Sequence, residues 1–308
     1  GGPSGANIGG AGGGLIRLSA TSTITINGTL TADGKTAGNT YGGGGSGGGI
    51  NLIADTFAGT PTSFTANAGN GSHPSGSAGG GGGCVALTYT TANAIAASSI
   101  TAYGGTVYAV GAPGTIYISG DSSSLTVSNG STPTRSTIIT QNISVDSLTL
   151  SKASTTFSNV TSTVSLAMSN TSMLFVTSSG YLDLPLGTSG SFGGSDSIWV
   201  KGNANIVGIS HLDGVTVTVV DGSTLTASST QAIGLTGVLT LGETSTLAGI
   251  TTLTTSGTIN IYNGYESLTD VTVADGTMTV YGYTTSSPWT LTSLYSVGGP
   301  LSHGQNDT

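Results

Sequence analysis

The sequence predicts an all-β chain wound into stacked coils, a parallel β-helix with almost no α-helix, and three observations predict it. First, one phrase is written three times, as Gly12-Gly13-Gly14-Leu15-Ile16-Arg17-Leu18-Ser19-Ala20, Gly47-Gly48-Gly49-Ile50-Asn51-Leu52-Ile53-Ala54 and Gly82-Gly83-Cys84-Val85-Ala86-Leu87-Thr88. A second phrase keeps step with it: Leu30-Thr31-Ala32-Asp33-Gly34, Phe64-Thr65-Ala66-Asn67 and Ile100-Thr101-Ala102-Tyr103-Gly104. Both return after about 35 residues, a period typical of solenoids, propellers and arrays. Second, apolar and polar residues alternate along the chain, and no stretch carries a 3.6-residue apolar stripe. Third, the C-terminal part repeats again with a shorter unit.

Residues 1–120 form the glycine-rich portion with the longer period. Runs such as Gly42-Gly43-Gly44-Gly45-Ser46-Gly47-Gly48-Gly49 and Gly79-Gly80-Gly81-Gly82-Gly83 precede short alternating strands. Glycine permits positive φ and close backbone approach, so tight corners between coils are the preferred reading. Extended polyproline II-like tracts packed on one another are a second reading, and flexible linker a third. Strict recurrence beside strand signals disfavours the linker.

Residues 121–308 are rich in Ser and Thr. Ile143-Ser144-Val145, Leu148-Thr149-Leu150, Val164-Ser165-Leu166 and Leu182-Asp183-Leu184 each read as half-buried strand. Gly237-Val238-Leu239-Thr240-Leu241, Gly257-Thr258-Ile259-Asn260-Ile261-Tyr262 and Gly276-Thr277-Met278-Thr279-Val280-Tyr281 repeat one phrase, and Leu247-Ala248-Gly249-Ile250-Thr251 matches Leu268-Thr269-Asp270-Val271-Thr272. The unit is roughly 19–21 residues and reads as two strands of one β-helix rung. Inward Leu, Ile and Val then stack into an apolar column, and outward Thr and Ser form polar ladders. Only the two ends of such a stack present open edges. The two portions are expected to join in one continuous elongated domain.

Composition narrows the function classes. Charged residues make up 6% of the 308, against about 25% in an average domain. No apolar run approaches the roughly 20 residues a membrane helix needs, and the β-branched alternation is foreign to disordered chains. The formal net charge is −8, with only five Lys and Arg (Arg17, Lys35, Arg135, Lys152 and Lys201), which argues against nucleic acid as a partner. Cys84 is the single cysteine, so no intrachain disulfide forms; in its apolar phrase it reads as a buried, inert thiol. No leader is legible at Gly1-Gly2-Pro3, and we expect a piece of a longer secreted or cell-surface product with further domains.

These phrases resemble repeats of large bacterial surface and adhesin-like proteins, in which glycine-rich tracts precede Ile-Asn-Leu-Ile-Ala or Leu-Ile-Arg-Leu-Ser-Ala and alternate with Leu-Thr-Ala-Asp-Gly. The resemblance covers about the first 120 residues and carries no functional residues. It implies a right-handed parallel β-helix serving attachment. The glycine repeats also resemble, more distantly, the glycine-rich tips of phage tail fibres.

Enzymes are built on β-helices too, so the ionisable residues bear on function. Glycoside cleavage needs two carboxylates facing across the bond, and lyase chemistry a base beside a stabilised carboxylate. The densest ionisable stretch is Lys201, His211, Asp213 and Asp221. Its Asp-Gly pairs read first as turns, as do Asp33-Gly34 and Asp275-Gly276. His73, His211 and His303 are isolated, with no metal-ligand spacing, and no Gly-Lys-Ser/Thr follows a glycine tract. No cofactor and no metal are expected. Asn-x-Ser/Thr triplets at Asn27, Asn70, Asn129, Asn142, Asn159, Asn170 and Asn306 arise by chance in a chain this rich in hydroxyl residues.

The candidate binding residues are aromatic. Tyr262 and Tyr281 close equivalent phrases on the parity opposite Ile259/Ile261 and Met278/Val280, with Tyr265, Tyr283 and Tyr295 nearby. A row of tyrosines suits sugar rings, because each combines an apolar face with a polar tip. The reading is a non-enzymatic extracellular module that binds carbohydrate or an insoluble surface such as cellulose. The alternatives are a β-helical polysaccharide lyase, glycosidase or tailspike-like enzyme, and a structural spacer or filament subunit.

Overall fold

The computed structural model describes residues 8–38, 41–131, 135–158, 161–169, 172–178, 181–183, 196–209, 211–212, 215–220, 222–227, 233–235, 237–242, 245–248, 252–262, 270–274, 276–281, 293–297 and 301–304. The chain is all-β and solenoid-like: successive strands stack in parallel sheets, and the one helix among the described residues is a 3-10 turn at Ala97–Ser99. It divides into two compact units, Gly1–Thr137 with Val145–Ser154, and Ile138–Ser144 with Thr155–Thr308.

In the first unit each repeat of the glycine-rich phrase is one coil carrying three short strands. The first coil has β1 (Leu15–Ser19), β2 (Thr23–Thr25) and β3 (Thr29–Thr31). The second has β4 (Gly49–Ile53), β5 (Thr56–Ala58) and β6 (Ser63–Thr65), and the third β7 (Cys84–Thr88), β8 (Ala92–Asn93) and β9 (Ile100–Thr101). Each strand pairs in parallel with its counterpart one coil on, so Ile16 faces Ile50 and Ile50 faces Val85. Leu30 faces Phe64, which faces Ile100. The three sheets turn one apolar residue in two toward a shared core, where Ile50, Leu52, Phe57, Phe64, Val85, Leu87 and Ile100 are buried. Each such side chain contributes about 1.5–3 kcal/mol relative to exposure. Cys84 is exposed rather than buried. Val85 and Leu87 take the inward parity of β7, which leaves Cys84 facing out.

The glycine tracts run extended, not as corners. Gly44 and Gly47 donate their amides to Ala78 and Gly81 of the next coil at 3.0 and 2.9 Å, while Gly45 and Gly48 donate to Lys35 and Ala32 of the preceding tract at 2.9 and 2.7 Å. Gly79, Gly82, Gly80 and Gly83 repeat the scheme with Ala109, Ala112, Gly69 and Ala66. Each series steps by three residues, the periodicity of the polyproline II helix. Such a helix has no internal hydrogen bonds, so its amides are free to bond sideways to different neighbours. Small residues let those neighbours come close. A Cβ on Gly48 would lie 1.9 Å from the Gly14 carbonyl oxygen. Asp33-Gly34, read as a turn from the sequence, belongs to such a tract; Gly34 donates to Asn67 at 2.8 Å and Asp33 Oδ1 accepts from the Asn67 amide at 2.6 Å.

A departure from uniform winding follows β10 (Thr115–Ser119), which pairs in parallel with β7. Its other neighbour is β11 (Ser123–Ser128), reached through a hairpin at Gly120–Ser122, and this is the antiparallel pairing among the described strands. Directly paired residues project from the same face. Here Ile116 pairs with Thr126 and Tyr117 with Leu125, although Ile116, Leu125 and Val127 are the buried ones. The buried parity therefore changes sides of the sheet between β10 and β11. The strand Ser144–Ser151 continues the new parity, pairing Leu148 with Leu125 and Leu150 with Val127.

In the second unit one rung carries three strands rather than the expected two, for example Thr216–Val219, Thr224–Ala227 and Ile233–Leu235. Each again pairs in parallel with the next rung. The phrases beginning at Gly237, Gly257 and Gly276 stack in register, as their likeness predicts. The other predicted match does not hold, because Val271 pairs with Leu253, and Leu247 lies on a strand of a different sheet. Leu174, Ile198, Val217, Leu239, Ile259 and Met278 are successive partners along one column. All six are buried.

Candidate functional site

The same register that builds the inward column builds an outward one beside it. In strands Met173–Thr177, Ser197–Val200, Thr216–Val219, Val238–Leu241, Thr258–Tyr262 and Thr277–Tyr281, the outward successive partners are Phe175, Trp199, Thr218, Thr240, Asn260 and Thr279. Neighbouring rungs are about 4.8 Å apart, so ring lies over ring and hydroxyl beside hydroxyl.

Phe175 and Trp199 form the aromatic end of this ladder. Their rings stack with centroids 6.4 Å apart and an interplanar angle of 23°, inside the favourable range for aromatic pairs. Trp199 is 37% exposed, although Ile198 and Val200 on either side of it are fully buried. Lys201, exposed, holds its Nζ 5.7 Å above the Phe175 ring as a cation–π contact. Its backbone is fixed by an amide bond to Val176 O at 3.0 Å and by left-handed Gly202 and Asn203 immediately after it. The result is a sheet face with two stacked rings, one cation and a row of neutral hydrogen-bonding groups.

The tyrosines chosen from the sequence fall on this face only in part. Tyr262 lies on the side opposite buried Ile259 and Ile261, is half-buried, and is the in-register partner of Tyr281 in the next rung. Tyr295 sits on Ser293–Val297, in a different sheet, where it pairs with Thr272. Tyr265 and Tyr283 lie outside the described residues. Phe175 and Trp199 were missed, yet a signal existed. Each is the middle of an apolar triplet, Leu174-Phe175-Val176 and Ile198-Trp199-Val200, whose flanking members are the ones strand parity sends inward.

A second aromatic contact lies in the first unit, where Tyr41 stacks on His73 at 4.0 Å and is half exposed. His73 Nδ1 also bonds Ser75, so the ring is held in place. Of the ionisable stretch considered for catalysis, Lys201 belongs to the aromatic face and His211 to the strand His211–Leu212. Asp213 and Asp221 lie outside the described residues. Among the described residues, no three His, Cys, Asp or Glu gather in metal-binding reach. Asn129 of the chance triplets is buried, accepting from the Gly104 amide at 2.9 Å. No described helix is long and apolar enough to cross a membrane.

Fold and face together define an all-β, solenoid-like protein that displays an aromatic and hydroxyl ladder on one sheet. No protein-family model, no curated protein and no solved structure matches the chain.

Proposed function

We propose that this chain is a non-enzymatic extracellular module, from a secreted or surface-attached adhesin-like protein, that docks polysaccharide along the face of a right-handed parallel β-helix. The observation that carries the reading is the outward Phe175–Trp199 stack, with Trp199 exposed and Phe175 half-buried, continued by Thr218, Thr240 and Asn260 on one sheet. Pyranose rings present an apolar face and equatorial hydroxyls. Stacked aromatics match the first, and hydroxyl and amide side chains match the second. Rung spacing repeats these groups in one dimension, which suits a polymer or an insoluble surface such as cellulose. The resemblance of the glycine-rich phrases to surface adhesin repeats supports the same reading.

The test is retention on insoluble polysaccharides and a glycan array, comparing the native chain with Trp199→Ala, Phe175→Ala, Tyr262→Ala and Tyr281→Ala. Losing one ring of the stack is expected to weaken binding about tenfold, the equivalent of about 1.4 kcal/mol. Retention unchanged in Trp199→Ala and Phe175→Ala, with circular dichroism showing intact strands, rejects the face as a binding platform.

A further inference from the structure

We infer that this face selects an acidic polysaccharide, a chain of uronic-acid sugars, with the Lys201 ammonium as counter-ion to the sugar carboxylate; the inference rests on the polysaccharide reading above. The chain carries 13 Asp and Glu against five Lys and Arg, so an exposed cation is a rare feature of its surface. Lys201 stands beside the stacked ring pair, with Nζ 5.7 Å from the Phe175 centroid. Among the described residues it makes no ion pair. Its in-register neighbours are uncharged: the Lys201 amide bonds Val176 O, which places it beside Thr177, and the Val220 amide bonds Val200 O, which places Val220 beside it on the following rung.

Among the described residues, the rest of the face carries no outward acid either. Met173, Thr177 and Ser197 flank the two rings on their own strands, and the outward positions of the four following strands are Thr, Val, Asn and Tyr. None is a carboxylate, so nothing on these strands repels a ligand carboxylate at the aromatic stack. A ring docked on Trp199 and Phe175 brings its substituents within reach of the Lys201 side chain. A carboxylate there gains an ionic hydrogen bond that a neutral sugar lacks. The overall charge of −8 sets the other bound. Densely sulfated chains, with several charges per sugar, meet the stronger long-range repulsion, whereas a uronic-acid chain carries one charge per sugar, so the carboxylate is the better match.

The experiment measures affinity electrophoresis or calorimetry with polygalacturonate, its methyl ester, a neutral glucan and a sulfated glycan, using the native chain, Lys201→Gln, Lys201→Arg and Trp199→Ala. The ester keeps the sugar backbone and replaces the charged carboxylate with a neutral methyl ester, and the Lys201→Gln comparison separates charge from the added methyl group. The native chain is expected to bind polygalacturonate about fivefold more tightly than the ester, a ratio corresponding to the upper range of a surface ion pair. That ratio should fall to near one in Lys201→Gln, persist in Lys201→Arg, and shrink at high salt. Trp199→Ala should weaken both ligands together. Equal affinity for acid and ester, or a ratio unmoved by Lys201→Gln, overturns the inference while leaving the polysaccharide reading intact. Tighter binding of a sulfated glycan than of polygalacturonate overturns the assignment to carboxylate. No retention on any polysaccharide, and no effect of Trp199→Ala, removes the underlying reading as well.

Discussion

Gly83 rests against the backbone of Gly48 so closely that a Cβ on Gly83 would lie 2.0 Å from the Gly48 carbonyl oxygen. Gly81, two residues earlier in the same tract, has open space: its Cβ would meet nothing nearer than 4.0 Å. This difference expresses the threefold packing of the tracts and separates it from a flexible linker. Gly83→Ala is expected to destabilise the first unit by about 3 kcal/mol or more, since backbone atoms have to move. Gly81→Ala should be neutral or stabilising by about 0.4–1 kcal/mol, through loss of freedom in the unfolded chain. Urea unfolding of the two variants checks both signs; equal effects contradict the packing.

Thr155 has a fully buried side chain whose Oγ1 finds no hydrogen-bond partner among the described residues. An unsatisfied buried hydroxyl costs about 1–3 kcal/mol, and valine has nearly the same shape without the polar atom. Thr155→Val should therefore raise stability by about 1 kcal/mol. Thermal unfolding measures it, and a lowered midpoint means that the hydroxyl is satisfied after all.

Two carboxylates link stability to acid. Hydrogen bonds from the hydroxyls of Thr90 and then Thr91 hold the Asp55 carboxyl below its ordinary value of 3.8. The Ser123 amide, at 2.6 Å, and then its hydroxyl, at 2.9 Å, lower Asp146 in the same way. With folded values depressed, the unfolded chain takes up protons first as pH falls. Their contribution is thus complete above the unfolded value of 3.8 and is lost as pH drops through the lower folded values. Unfolding midpoints should be flat from about pH 7 to 5 and fall below about pH 4. The fall should be shallower in an Asp55→Asn, Asp146→Asn double variant, which cannot titrate there. Identical acid profiles contradict the assignment.

Stacking was legible in the sequence wherever it forces like residues into register. Ile16, Ile50 and Val85 occupy the same place in three repeated phrases and are partners in space. Leu239, Ile259 and Met278 behave likewise. The conformation of the glycine tracts was not legible, because their neighbours are set by backbone amides that leave no side-chain pattern. The turn at Gly120–Ser122 was open to reading, since a glycine-containing link between two alternating runs is a hairpin signal. The change of buried face it produces was not, because Tyr117 and Leu125 are both suited to an inward position. The match that set Ile250 against Val271 misled for a related reason. In a Leu/Thr-rich stretch several offsets align equally well, and the partner Val271 takes is Leu253. At the aromatic face, parity assigned Tyr262 correctly to the side away from Ile261, but Trp199 was hidden by apolar neighbours on both sides.

The proposed binding face exists only if outward residues of consecutive rungs are direct neighbours. Pyrene excimer fluorescence tests this most directly, in a Cys84→Ser background with paired cysteines labelled at Thr218 and Thr240, or at Thr218 and Thr279. The first pair are partners in adjacent strands, about 4.8 Å apart. The second pair lie three rungs apart along the same ladder, at about 14 Å. Strong excimer emission from the first pair and none from the second is the predicted result. Monomer emission from both, or excimer only from the second, contradicts the stacked register.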